Sequence, residues 1–189
     1  MGGVAIKTKQ DELHQQIIET VGVDEVLKLD NQLCFQLYAA SRLVVQAYAP
    51  LLKEYGLTYP QYLVLLVLWE RGNATVKELG QALYLDSGTL TPLLKKLERD
   101  GLVTRERAAD DDRTVVNRPT RKAQGLKKKI AAVPVELFCR VGYTPDEFQF
   151  YRSVIKNLIQ FATTTSEKDK QDARIETSRI ARNFTGELH

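Results

Sequence analysis

Cysteine and histidine are scarce in this chain of 189 residues, with two of each: Cys34 and Cys139, His14 and His189. The cysteines stand far apart and form no Cys-x-x-Cys pair, which argues against a structural zinc site and against the disulfide framework of a small secreted domain. Both histidines lie toward the chain ends, so a Ser-His-Asp or Cys-His catalytic arrangement has no well-placed imidazole to use. No catalytic residue, metal site or cofactor is therefore expected. Long apolar runs are also missing. The longest, Tyr62 to Trp69, is far short of the ~20 residues of a membrane helix, so no membrane partner is expected. The N-terminal M-G-G-V-A-I-K-T-K-Q-D-E has no apolar stretch followed by a small-residue cleavage site, and a cytoplasmic protein is expected.

What is present suits one globular domain with its own core: 43% hydrophobic and 27% charged residues. The net charge of +3 is unevenly spread. Residues 95–129 hold twelve Lys and Arg against six Asp and Glu, so this stretch is basic and the remainder slightly acidic. A nucleic-acid face embedded in an ordinary protein produces this asymmetry, and so do solvated helix faces.

The pattern along the chain is mainly helical. Leu13, Ile17 and Val21 recur every four residues in an otherwise polar N-terminal extension, residues 1–28, which fits a short amphipathic helix. A long helix is predicted from Asp30 or Asn31, as N-cap, to about Tyr55, with Gly56 closing it. Thr58-Tyr59-Pro60-Gln61 is a capping box with an early proline, opening a buried helix that ends at Gly72. Thr75-Val76-Lys77-Glu78 is a second capping box, for a short helix to about Leu83. Asp86 and Ser87 precede Leu90, Leu93, Leu94 and Leu97, one face of a further helix that Gly101 terminates. Two β-prone runs, 102–107 and 113–118, joined by an acidic turn, read as a hairpin. Thr120 starts another helix that Pro134 should kink or end. Thr144-Pro145-Asp146-Glu147 caps a last helix to about Ala162. Residues 163–189 are expected to be a mobile tail, with helical periodicity only around Ile175 and Ile180. Two short helices, a turn and a hairpin make a winged helix-turn-helix over residues 58–119, and the fold class is mainly α with a small β-wing.

The helix after Asp86 turns its leucines inward, which leaves Ser87, Thr89, Thr91, Pro92, Lys95, Lys96 and Arg99 outward or along the rim. Small hydroxyl residues and Gly88 at its N-terminal end let backbone N–H groups approach DNA phosphate, and the cations add affinity by counterion release. Pro92 is tolerable because it sits near the first turn. Arg113, at the hairpin tip, can enter a minor groove, held by a neighbouring aspartate. A solvated face on a core helix is the plainer alternative.

L-T-Y-P-Q-Y-L-V-L-L-V-L-W-E and T-V-K-E-L-G-Q-A-L-Y-L-D-S-G-T-L-T-P-L-L-K-K-L-E-R-D-G-L-V resemble the organic-hydroperoxide-responsive branch of the MarR repressors, over roughly residues 28–162. The wing element D-x-R of that family falls on Asp111 and Arg113. The resemblance implies a homodimer held by N- and C-terminal helices, here 29–56 and 120–162, that binds a pseudo-palindromic operator in double-stranded DNA. One departure is V-N-R-P-T at the end of the second wing strand, where the family usually has an apolar residue before the threonine.

Free cysteine is ordinarily a small buried hydrophobe. Cys34, however, falls within about the first turn of its helix, where the positive end of the peptide dipole stabilises a thiolate. Tyr38 follows one turn later on the same face. Tyr48 and Tyr59 cannot reach Cys34 within one chain, because the helix separates Cys34 from Tyr48 by ~21 Å; a partner subunit can supply them. The resemblance implies this arrangement, with Cys34 the thiol oxidised by organic hydroperoxide and Tyr38, Tyr48 and Tyr59 its supports. It also implies that Cys139 matches the second cysteine of the two-cysteine subgroup, closing an intersubunit disulfide on the oxidised sensor; a mixed disulfide with a small thiol is the alternative. Two rival functions remain, a repressor responsive to a small aromatic ligand and, from another class, a thiol peroxidase.

Overall fold

The computed structural model describes the backbone of residues 9–108 and 111–185, and the side chains of residues 15–107 and 114–165. The chain falls into two compact units, Met1–Leu137 and Phe138–His189.

In the first unit, α1 (Lys9–Val21) and the single turn α2 (Val23–Val26) precede a 3-10 turn, Leu29–Asn31, and the long α3 (Leu33–Lys53). The predicted cap of α3 does not form. Asp30 and Asn31 are spent in the 3-10 turn, and Gln32 occupies the N-cap position without a side-chain bond to the helix. The amide of Asn31 instead donates back to the carbonyl of Glu25 at 2.8 Å.

Next come α4 (Tyr59–Arg71), β1 (Ala74–Thr75), α5 (Val76–Leu83), α6 (Ser87–Arg99), β2 (Val103–Ala108), β3 (Asp111–Pro119) and α7 (Arg121–Ile130). The capping residues act as the sequence reading anticipates. Thr58 N donates to Gln61 Oε1 at 2.9 Å, Thr75 N to Glu78 Oε2 at 2.7 Å, and Ala123 N to Thr120 Oγ1 at 3.2 Å. Each bond satisfies a backbone group that a helix end would otherwise leave open. The hairpin is present, and its β3 is the centre of an antiparallel sheet of order β1-β3-β2. β1 escaped the sequence reading, since two residues carry no periodicity.

A row of fully buried side chains ties these elements together: Leu52 from α3, Val64, Leu65 and Leu68 from α4, Leu79 from α5, and Leu90, Leu94 and Leu97 from α6. Burying one such leucine is worth about 1.5–3 kcal/mol. The turn between α5 and α6 is tight enough to need a glycine. A Cβ on Gly80 would stand 2.7 Å from the carbonyl oxygen of Leu85, and Tyr84 takes a left-handed φ of 55° to close the corner.

Helix α7 ends before Pro134, and α8 (Ala132–Val141) carries that proline in its first turn, where its missing N–H costs nothing. The boundary between the two units falls within α8. In the second unit, Thr144 caps α9 (Pro145–Thr185), with Thr144 N donating to Glu147 Oε2 at 2.9 Å. Expected to end near Ala162, this helix continues to Thr185, so the segment read as a tail is helical over most of its length. Its charged sequence carries few core-type residues but no Gly or Pro until Gly186, and nothing in it breaks the backbone ladder.

Candidate functional site

Helix α6 owes its outward face to the leucines it hides. With Leu90, Leu94 and Leu97 buried and Leu93 half-buried, the positions exposed on the opposite side are Ser87, Thr89, Pro92, Lys95, Lys96 and Arg99, with Thr91 half-buried at the rim. Pro92 lies in the second turn; the carbonyl of Gly88 that loses its helical donor is on the exposed side, open to water.

The N-terminal end of α6 is fixed by Asp86. Its Oδ1 accepts from Thr89 N at 2.8 Å and its Oδ2 from the Thr89 hydroxyl at 2.7 Å. These bonds, the hydroxyl's first, hold the Asp86 carboxyl below the usual carboxylate range. The Thr91 hydroxyl donates to the carbonyl of Ser87 at 2.7 Å. Two of the three hydroxyls expected to read DNA thus spend their protons inside the helix and offer outward only acceptor lone pairs. The ammonium of Lys96 pairs with Asp100 at 2.7 Å. Beside this helix end runs a groove of about 780 Å³, lined by Lys77, Glu78 and Gln81 of α5, Ser87 of α6, and Thr114 and Val115 of β3. A strand of wing thus flanks the end of the helix.

The wing is anchored at its root. Arg105 on β2 donates through Nη1 to Glu98 Oε2 on α6 at 3.3 Å. Asn117 on β3 is fully buried, and its amide donates to the carbonyl of Ala74 on β1 at 2.9 Å. That bond secures the third strand, β1, to the wing. Asp111 and Arg113 belong to β3 by their backbone, and their side chains lie outside the described residues.

Cys34 is the second residue of α3 and is exposed. Tyr38, one turn on, is also exposed, and its hydroxyl accepts from Arg42 Nη1 at 2.8 Å while the guanidinium carbon sits 5.6 Å from the ring centre. With an acceptor site so occupied, the phenol keeps its proton to donate elsewhere. Tyr48 and Tyr59 meet within one chain, ring centres 4.8 Å apart, and Tyr62 joins them at 6.0 and 6.3 Å. Burial, with lesser repulsion from the two neighbouring phenols, pushes the Tyr48 hydroxyl up to about 12, and burial raises Tyr59 and Tyr62 too. This cluster sits near the far end of α3 from Cys34, as the helix geometry requires. Cys139 is exposed on α8, in the second unit.

Sequence reasoning missed Arg42 and Tyr62. Both were findable by helical spacing, Arg42 four residues after Tyr38 and Tyr62 three after Tyr59. Among the described residues no group of acidic, histidine or cysteine side chains could hold a metal ion, and no helix is long and apolar enough to cross a membrane.

Comparison with known proteins gives concordant matches. A family described as transcriptional regulator SarA/Rot matches residues 46–130. The organic hydroperoxide resistance transcriptional regulator of Bacillus subtilis (strain 168) is 44% identical over 134 residues, which are 71% of this chain and 91% of that protein. The HTH-type transcriptional regulator TtmR of Methylorubrum extorquens (strain PA1) is 47% identical over 144 residues, 76% of this chain and 72% of that one. Among solved structures, AbfR of Staphylococcus epidermidis in its reduced form bound to DNA is 34% identical with a TM-score of 0.61, covering 79% of this chain and 97% of its own. Disulfide-formed AbfR is 35% identical with a TM-score of 0.53, covering 84% and 99%.

Proposed function

The chain belongs to the MarR-type winged-helix transcriptional regulators, and from that premise we propose that it is a peroxide-sensing repressor. It binds a pseudo-palindromic operator as a homodimer and lets go when Cys34 is oxidised by an organic hydroperoxide. It acts as a regulator and not as an enzyme, in the cytoplasm where its operator is.

The observation that carries the reading is the outward face of α6. Ser87, Thr89, Thr91, Pro92, Lys95, Lys96 and Arg99 enter the major groove, the first residues nearest the bases and the cations toward phosphate. Asp111 shapes the wing and Arg113 enters the adjacent minor groove. The name of the Bacillus relative and the DNA-bound form of AbfR support this reading.

The exposed apolar residues of the flanking helices, 29–56 and 120–162, support a second copy. From residue 15 to residue 51 no side chain is buried, and α3 bears exposed Leu33, Phe35, Leu37, Leu43 and Val44. Helix α9 likewise exposes Phe148, Phe150, Ile155 and Phe161. Exposed large apolar side chains in such number support a protein interface. Two-fold pairing of α3 carries the Tyr48 and Tyr59 of one copy toward Cys34 and Tyr38 of the other.

In the sensing step the Cys34 thiolate attacks the hydroperoxide, the O–O bond breaks, Cys34 becomes a sulfenic acid carrying the outer oxygen and its hydrogen, and the departing alkoxide takes a proton from solvent to leave as the alcohol. The Cys139 thiol of the partner subunit then displaces water to form an intersubunit disulfide. The exposure of both thiols supports the step, as does the existence of a disulfide form of AbfR. The altered dimer no longer matches half-sites one helical turn, ~34 Å, apart. Non-reducing gel electrophoresis after organic hydroperoxide tests the linkage. A covalent dimer that disappears in Cys139→Ser is expected; a covalent dimer that persists in Cys139→Ser, or none in the native protein, contradicts it.

A further inference from the structure

We propose that Arg42 is the positioning residue of the peroxide sensor: it holds the Tyr38 phenol so that the phenolic proton is presented to the Cys34 thiolate. The proposal rests on the oxidation of Cys34 proposed above, and goes beyond it by assigning a residue outside the set of Cys34, Tyr38, Tyr48 and Tyr59.

Between Leu33 and Leu52, helix α3 carries a single charged residue, Arg42. Its neighbours one turn away on either side, Tyr38 and Gln46, are neutral, and among the described residues no carboxylate pairs with it. A surface arginine with no counter-charge ordinarily keeps its head in water. This one turns onto Tyr38 instead. Its Nη1 donates to the Tyr38 hydroxyl oxygen at 2.8 Å, and its guanidinium carbon stands 5.6 Å from the ring centre. The two contacts act on different parts of the phenol. The first fixes the oxygen, and the second, within reach of cation–π attraction, restrains the ring.

Helix geometry extends the relation to Cys34. Cys34, Tyr38 and Arg42 follow one another at one-turn intervals on one face of α3, and all three are exposed. Long side chains on a helix lean toward its N-terminus and over the preceding turn, so Arg42 covers Tyr38 and Tyr38 in turn leans toward Cys34. A guanidinium has no lone pair with which to accept, so the phenolic proton cannot be given to Arg42. It is left for an acceptor on the N-terminal side, the side of Cys34. A hydroxyl whose oxygen already accepts from a cation is polarised into a stronger donor. A hydrogen bond donated to a thiolate favours that nucleophilic form over the thiol. The proton stays on Tyr38 throughout, the attack on the O–O bond is the one written above, and Arg42 touches neither the sulfur nor the peroxide. Its part is to aim the phenol.

Cys34 and Cys139 are the only cysteines, so Cys139→Ser protein has a single thiol. Its oxidation by cumene hydroperoxide can be timed by trapping the sulfenic acid with dimedone and quantifying the adduct by mass spectrometry. In that background Arg42→Met, which keeps the helix-forming tendency, should slow oxidation roughly tenfold, as expected when a hydrogen bond to a charged group is weakened. Arg42→Lys retains a cationic donor and should bring the rate back to within about threefold of the parent. Tyr38→Phe should slow oxidation as Arg42→Met does. Adding Arg42→Met to Tyr38→Phe should then change the rate by less than about twofold, because both substitutions break the same relay. An unchanged rate in Arg42→Met overturns the positioning role. So does a slowing that Arg42→Lys leaves in place, or one that is as large in the Tyr38→Phe background as outside it, since Arg42 then acts by other means than Tyr38. A parent protein whose Cys34 gives no sulfenic acid overturns the peroxide-sensing reading, and the positioning role with it.

Discussion

The ring of Tyr48 on α3 rests 4.8 Å from that of Tyr59 at the start of α4, in the same chain. Helix α3, whose first fully buried residue is Leu52, is thus joined to the winged helix through a cluster of phenols that Tyr62 completes.

That cluster fixes a pH response. The Tyr48 hydroxyl ionises at about 12 in the folded protein, against 10.0 when unperturbed, chiefly because burial penalises the phenolate. A raised value means that the neutral phenol is the form the fold favours. Its contribution to stability is complete below the unfolded value and is lost as pH rises through the folded one, a window from about 10 to about 12. Ultraviolet titration of phenolate should give a late-ionising fraction that Tyr48→Phe reduces, Tyr59 and Tyr62 being raised as well. Denaturant unfolding should show stability falling across that window, and less steeply in Tyr48→Phe.

Gly80 carries the corner of the helix-turn-helix. Gly80→Ala places a methyl carbon 2.7 Å from the backbone oxygen of Leu85, so the turn between α5 and α6 must open. A decrease of about 1–3 kcal/mol in unfolding free energy is expected, together with weaker operator binding as α6 tilts. Unchanged stability in a denaturant titration contradicts the tight corner.

Neighbouring lysines on α6 should differ in their effect on DNA. Lys95 is exposed, whereas the Lys96 ammonium is already paired with Asp100 at 2.7 Å. Lys95→Ala should weaken binding across sequences and lower the salt slope by about 1 for each phosphate that is no longer neutralised. Lys96→Ala should cost less, since part of its charge is matched before DNA arrives. Electrophoretic shift assays over a range of salt concentrations distinguish the two; a larger effect for Lys96→Ala reverses their roles.

The fold was largely legible because its signals are local. Capping boxes at Thr58, Thr75 and Thr144 and the leucine row from Leu90 to Leu97 are written in consecutive residues, and the structure uses them as such. Missed features depend on what is brought together from a distance or on the weakness of a signal. β1 exists only because β3 comes to pair with it, and α9 outruns its expected end because a charged sequence without breakers stays helical. The outward face of α6 could be read, but the internal commitment of the Thr89 and Thr91 protons could not, since either hydroxyl is equally able to point to solvent. Of the residues proposed for sensing, Cys34 and Tyr38 share a helix face and Tyr48 and Tyr59 cluster, and within one chain the two pairs lie toward opposite ends of α3.

The central claim is that one thiol, Cys34, governs the grip on DNA. An operator shift assay on reduced and organic-hydroperoxide-treated protein, native and Cys34→Ser, tests it most directly. The account predicts that both proteins bind when reduced, that peroxide releases the native protein, and that Cys34→Ser stays bound. Release of Cys34→Ser by peroxide, or a native protein that holds its operator after treatment, would contradict it.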